Sequence, residues 1–79
     1  MTKFDYEILV MLCNQNVDNP LKAMNISQIL EFTEKRKSYS TTYRHLLDMT
    51  QKGYVKCGLV DGSASTYYIS DFGKTCCKS

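Results

Sequence analysis

Along "FDYEILVMLCNQ" the apolar positions are Phe4, Ile8, Leu9, Leu12 and Cys13, the three-and-four spacing of one helix face. This predicts a first helix over about 5–15, capped by Thr2 or Asp5, with acidic residues in a first turn whose dipole favours them. "NQNVDNP" is turn chemistry: Asn and Asp accept left-handed backbone, and Pro20 breaks what precedes it. In "MNISQILEFTEK" Asn25 is the cap, Gln28 completes a capping box and Met24 staples onto Ile29. A second helix over about 26–34 then turns Ile26, Ile29, Leu30 and Thr33 inward. "KRKS" interrupts the pattern, and Ser38 caps a third helix over about 39–52. At about 100° per residue, Tyr39, Thr42, Leu46 and Met49 share one face of it, and Ser40, Arg44, Leu47 and Gln51 the other. Gly53 ends it in the left-handed position that follows a helix. "YVKCGLV" and "STYYIS" are β-branched and aromatic, and "VDGSAS" between them signals a hairpin with a two- or four-residue loop. "SDFGKTCCKS" is too short for another full helix and reads as a turn begun by Ser70.

The order is therefore helix, helix, helix, strand, strand, an α+β and mainly α arrangement. It is expected to form one domain over 1–79, with the hairpin over about 54–70 and a short tail over 71–79. A chain of 79 residues buries only about 60% of its unfolded surface, so its core is small. Neither three short helices nor one hairpin is stable alone; the hairpin is expected to lie beside the third helix and share its core.

Charge changes this picture more than composition does. The net charge is only +2, but residues 1–34 carry −3 and residues 35–79 carry +5. The basic half holds the third helix, and such polarity suggests an anionic partner there. Four cysteines do not make a zinc site, because no C-x-x-C pair or spaced histidine accompanies them. Cys13 and Cys57 read as half-buried thiols, and Cys76 and Cys77 as part of a mobile tail. "ILVMLC" is far shorter than the roughly 20 apolar residues that span a membrane. The N-terminal residues lack a basic region followed by an apolar run. A soluble, intracellular, cytoplasmic protein is expected. Catalysis is not: His45 and Asp48, three apart on one helix, do not build a nucleophile–base–orienter set, and neither a phosphate loop nor a carboxylate pair is present. No cofactor, metal or small-molecule ligand is implied.

The stretch "TYRHLLDMTQKGYV" resembles the recognition helix of winged helix-turn-helix repressors of the ArsR, MarR and PadR groups, roughly V-S-R-H-L-x-x-L-x-x-x-G followed by two apolar residues. Thr42 stands for the Val and Tyr43 for the Ser; Arg44, His45 and Leu46 match; Met49 replaces the Leu; Gly53, Tyr54 and Val55 match the exit into the wing. "YYISDFGK" is similar to the Y-x-L-T-x-x-G-[KR] that follows the wing in MarR- and PadR-like proteins. The resemblance implies a winged helix-turn-helix that binds double-stranded DNA. Three features depart from those groups. The wing tip "DGSAS" lacks a basic residue, the long dimerisation helices are missing, and no effector pocket is visible.

The residues agree with that implication. A helix fits the major groove, and Arg44, on the outer face, is the natural donor to a guanine. Ser40, Thr41 and Tyr43 offer hydroxyls near the helix N-terminus. Lys35, Arg36 and Lys37, the N-terminus capped by Ser38, and Lys56 at the wing base would meet phosphates. Leu47 is apolar on the exposed face and would touch a thymine methyl or a partner. His45 is expected to be half-buried and hydrogen-bonded, and most of the tyrosines at 39, 43, 54, 67 and 68 to fill the core or strand faces. The leading reading is a small transcriptional repressor or mobile-element control protein, binding a palindromic site as a homodimer through the first helix or the tail. The alternative is a winged-helix protein-interaction module without DNA binding. In a variant of the first reading, Cys57 senses thiol oxidation.

Overall fold

The computed structural model describes residues 1–33, 37–59 and 65–78, with the side chain of Lys78 excepted. Its elements run α1 (Lys3–Asn14), β1 (Met24–Asn25), α2 (Ile26–Phe32), α3 (Tyr39–Gln51), β2 (Val55–Cys57), β3 (Thr66–Ile69) and α4 (Asp71–Lys78). The strands form one antiparallel sheet in the order β1-β3-β2.

Helix ends are set by the chemistry expected of them. Thr2 caps α1, and Asp5 is the acidic partner of a full capping box, not the cap itself. Asn25 and Gln28 exchange the same pair of bonds at α2, both at 2.9 Å. α1 and α3 both end in paired reverse bonds around a left-handed residue. In α1 that residue is Asn16, at φ 57°, with Val17 N–H bonding to the Leu12 carbonyl and Asn16 N–H to that of Cys13. In α3 it is Gly53, at φ 86°, with Tyr54 and Gly53 bonding back to Met49 and Thr50.

The core joins Ile8, Leu9 and Leu12 of α1, Ile29 of α2, Leu46 and Met49 of α3, and Val55 and Ile69 of the sheet, all at most 1% exposed. Thr42 is buried with them and bonds to the Ser38 carbonyl at 3.0 Å. Ile26 and Thr33 are buried and Leu30 half-buried, as the second-helix pattern implied.

Four details differ from the sequence pattern. Tyr39 points out, because it is the first residue of α3 and side chains of a helix lean toward its N-terminus, here past the end of the core. Met24 and Asn25, read only as a cap and its neighbour, also pair with Tyr67 and Thr66 as a third strand. The wing strands are short. Their pairing ends with Cys57 opposite Tyr67 and one Gly58–Thr66 backbone bond; the tip over 60–64 lies outside the described residues. Lastly, the segment read as a tail folds into the two turns of α4.

α4 is held by Ser70, which is buried. Its hydroxyl accepts the Gly73 amide at 3.0 Å, as the expected cap would, and also contacts the carbonyls of Gly53 and Tyr54. One residue therefore ties the exit of α3 to the start of α4. Phe72 stacks on Tyr54 at 5.2 Å between ring centroids. Lys74 reaches Asp18 at 2.8 Å, a bond that lowers the Asp18 pKa and raises that of Lys74.

Candidate nucleic-acid interface

α3 needs no charged partner to form: Ser38 caps it, with the Thr41 amide donating to Ser38 Oγ at 3.1 Å. That cap occupies part of the proposed donor set. The Ser38 hydroxyl donates to Thr41 Oγ1 at 2.9 Å, so both polar groups of half-buried Thr41 are turned to its own helix. The amides of Tyr39 and Ser40 have no partner within the helix by its geometry and point out of the N-terminal end.

With Thr42, Leu46 and Met49 fixed inward, the remaining arc of α3 is set by helix geometry. Its centre is Ser40, Arg44 and Gln51, all exposed. On one flank lie Tyr39, Tyr43 and Leu47. On the other are His45 and Asp48, beside α1, where Arg44, His45 and Asp48 share a shallow depression with Thr2 and Asp5. Asp48 is the one acidic residue within α3, and Lys52 holds it at 3.1 Å, which raises the Lys52 pKa. Among the described residues no ion pair occupies the Arg44 guanidinium.

The tyrosine flank faces the wing. Burial pushes the Tyr67 phenol above its usual pKa, and neighbouring Cys57, Tyr43 and Tyr39 act in the same direction, against a hydrogen bond with Ser65. Tyr67 is a buried residue of the central strand, paired with Cys57. Tyr67 is buried and Tyr54 and Tyr68 are half-buried, as expected, whereas Tyr39 and Tyr43 are surface residues. Tyr39 belongs to this face although its angular position suggested the core; its place in the first turn is the signal that would have moved it. Cys57 is exposed, not half-buried.

The basic residues are spread more widely than their spacing suggested. Lys37 is exposed, and its ammonium lies 5.8 Å from the Phe4 ring centroid, which draws it over the start of α1. Lys56 is exposed opposite Tyr68, on the sheet face away from the buried Val55–Ile69 pair. It therefore flanks α3 and does not join Arg44. Lys35 and Arg36 lie outside the described residues.

His45 sets how α3 meets α1. Its Nδ1 is 2.6 Å from Asp5 Oδ1, and its ring meets Phe4 edge-on at 5.0 Å. The other Asp5 oxygen accepts the Thr2 amide at 3.1 Å. One buried carboxylate therefore completes the capping box of α1 and anchors α3, and His45 is the half-buried, hydrogen-bonded histidine expected at this position. Asp5→Ala should lower unfolding stability by about 1–2 kcal/mol, from the lost cap and the lost charged hydrogen bond. Urea titration of the two proteins measures it; equal midpoints would mean the pair holds nothing.

Four helices and a three-stranded antiparallel sheet, with one face of α3 turned outward, define a winged-helix-like fold of the α+β class. Two solved structures share it. The solution structure of a DNA-binding TubR fragment from Clostridium botulinum is 28% identical, covers 99% of this chain and 94% of that chain, and superposes with a TM-score of 0.77. The crystal structure of AF1382 from Archaeoglobus fulgidus, at 16% identity, covers 99% of this chain and 81% of that one with a TM-score of 0.73, a likeness of fold alone. No protein-family model and no curated protein matches the chain. No helix among the described residues is long and apolar enough to cross a membrane.

Proposed function

We propose that this protein is a small DNA-binding regulator that seats α3 in the major groove of double-stranded DNA and acts by occupying its site, without catalysis. The observation that carries the reading is the outer face of α3. It is capped, rigidly backed by the core, and presents Ser40 and Arg44 with no acidic residue beyond the paired Asp48. The likeness over almost the whole chain to a fragment described as DNA-binding supports it. In this reading Arg44 donates to a guanine, Ser40 and Tyr43 reach bases or phosphates, and Lys35, Arg36, Lys37 and Lys56 contact phosphates on either side. Thr41 and Ser38 act through the helix end they shape. The motif likeness to ArsR, MarR and PadR repressors supports a repressor or mobile-element control role in the cytoplasm. A single helix reads only a few base pairs, which favours a homodimer on a palindrome.

A second reading, a protein-interaction module, is favoured by the apolar side chains Tyr39, Tyr43 and Leu47 on the same face. Salt separates the two. Anisotropy of a labelled duplex titrated with reduced protein should show affinity falling with salt, at a logarithmic slope of about −0.9 per phosphate neutralised. Absence of binding at low salt would leave the interaction module as the better account.

A further inference from the structure

α3 exposes more apolar surface than a phosphate-binding helix needs. Tyr39, Tyr43 and Leu47 follow one another at i, i+4 and i+8 and are 53%, 44% and 44% exposed. They form a continuous stripe on the wing side of Arg44, while Ser40 and Gln51 lie between stripe and guanidinium. Tyr67 of the adjacent strand is buried, whereas the stripe on α3 stays at the surface. The exposed cation on the same helix is Arg44, while Lys37 lies over Phe4 on the far flank and Lys56 projects from the other face of the wing. An apolar stripe on the same helix face as an exposed guanidinium fits a groove that offers hydrogen-bond acceptors and apolar points side by side. In the major groove the apolar points are the 5-methyl groups of thymine.

Resting on the DNA-binding reading above, we propose that the Tyr39–Tyr43–Leu47 stripe reads thymine methyl groups beside the base pair contacted by Arg44. Leu47 and Tyr43 are then specificity-determining residues, and the preferred site carries thymines at fixed distances from a guanine. Hydrogen-bond donors alone would not require an apolar side chain at position 47.

The test uses the full chain and a site selected from random-sequence duplex DNA. Each thymine near the guanine is replaced singly by deoxyuracil, which keeps the pairing edge and removes only the methyl. Each contacted methyl should be worth about fourfold in affinity, the amount expected for burying one such carbon. Leu47→Ala, an exposed change to a good helix former, should abolish the thymine–uracil difference at one position and leave the others. Equal affinity for every uracil-substituted site, with salt-sensitive binding intact, would overturn methyl reading while leaving DNA binding in place. Persistence of the full difference in Leu47→Ala and Tyr43→Ser would overturn the assignment to the stripe. A chain that binds no duplex at all overturns both readings.

Discussion

Gly73→Ala should destabilise the domain by about 3 kcal/mol, the upper end of the usual cost of overpacking. Two effects compete at this position. Helix propensity alone favours alanine over glycine by up to about 1 kcal/mol, and Gly73 lies in the first turn of α4. Packing says the reverse. A β-carbon on Gly73 would overlap the backbone carbonyl oxygen of Tyr54 and come within 2.8 Å of Ile69 Cγ1. The first neighbour is backbone, and it is pinned by bonds from the Ser70 amide and hydroxyl. It cannot swing aside as a side chain tip would. Relief therefore requires α4 to lift from the sheet, with loss of the Ser70 cap and the Phe72–Tyr54 stack. In a domain of this size the expected fall in melting temperature is roughly 10–20 °C. Thr75→Ala, an exposed change two residues on, should stay within about 0.5 kcal/mol. A Gly73→Ala protein that melts at or above the parent would mean that propensity wins and that α4 does not seat where it is described.

The same glycine shows what the sequence held and what it concealed. "YYISDFGK" matched a pattern that follows the wing in related folds, yet its glycine carried no local reason there. The reason is a long-range approach between residues 54 and 73, which no periodicity encodes. α4 leaves no signal in the pattern because eight residues give too few turns for a hydrophobic period, and because its stability is tertiary, supplied by Ser70, Tyr54 and Asp18. β1 is hidden for a related cause. Two residues cannot show alternation, and Met24 and Asn25 already had a complete explanation as staple and cap. What was legible was local chemistry: Thr2 as one of two candidate caps, the Asn25–Gln28 capping box, Gly53 in the left-handed region, and the inward set Thr42, Leu46 and Met49. Each depends on neighbours within about four residues.

The interface was legible in a different proportion. Helical geometry placed Ser40, Arg44 and Leu47 outward, and the fold agrees. The same geometry put Tyr39 inward, since an angle around the axis carries no information about where along the axis the core stops. The run Lys35–Lys37 looked like one phosphate clamp in sequence. Of that run the described residues include Lys37, which is exposed with its ammonium 5.8 Å from the Phe4 ring centroid, a contact with α1 that no local pattern encodes. Thr41 looked like a free hydroxyl and is absorbed by the Ser38 cap.

Arg44→Ala should weaken binding to the selected duplex by about 5- to 150-fold, the range of one bidentate guanine contact. The protein itself should be as stable as the parent, because Arg44 is exposed and no described ion pair depends on it. The form of the loss is as informative as its size. If Arg44 reads a base, preference at that base pair should relax while the salt slope changes little. If it only neutralises a phosphate, affinity should fall evenly across sequences and the slope should become shallower by about one, as is expected instead for Lys37→Ala. Arg44→Lys sharpens the distinction. Lysine keeps the charge but lacks the planar fork that meets two acceptors at once. It should restore the salt-dependent, sequence-independent part of binding and leave the guanine preference impaired. Unchanged affinity and preference in Arg44→Ala would remove the outer face of α3 from the reading of DNA. A lysine variant with full preference would show that a point charge suffices, and that sequence is read elsewhere on the face, by the hydroxyls or by the stripe that ends at Leu47.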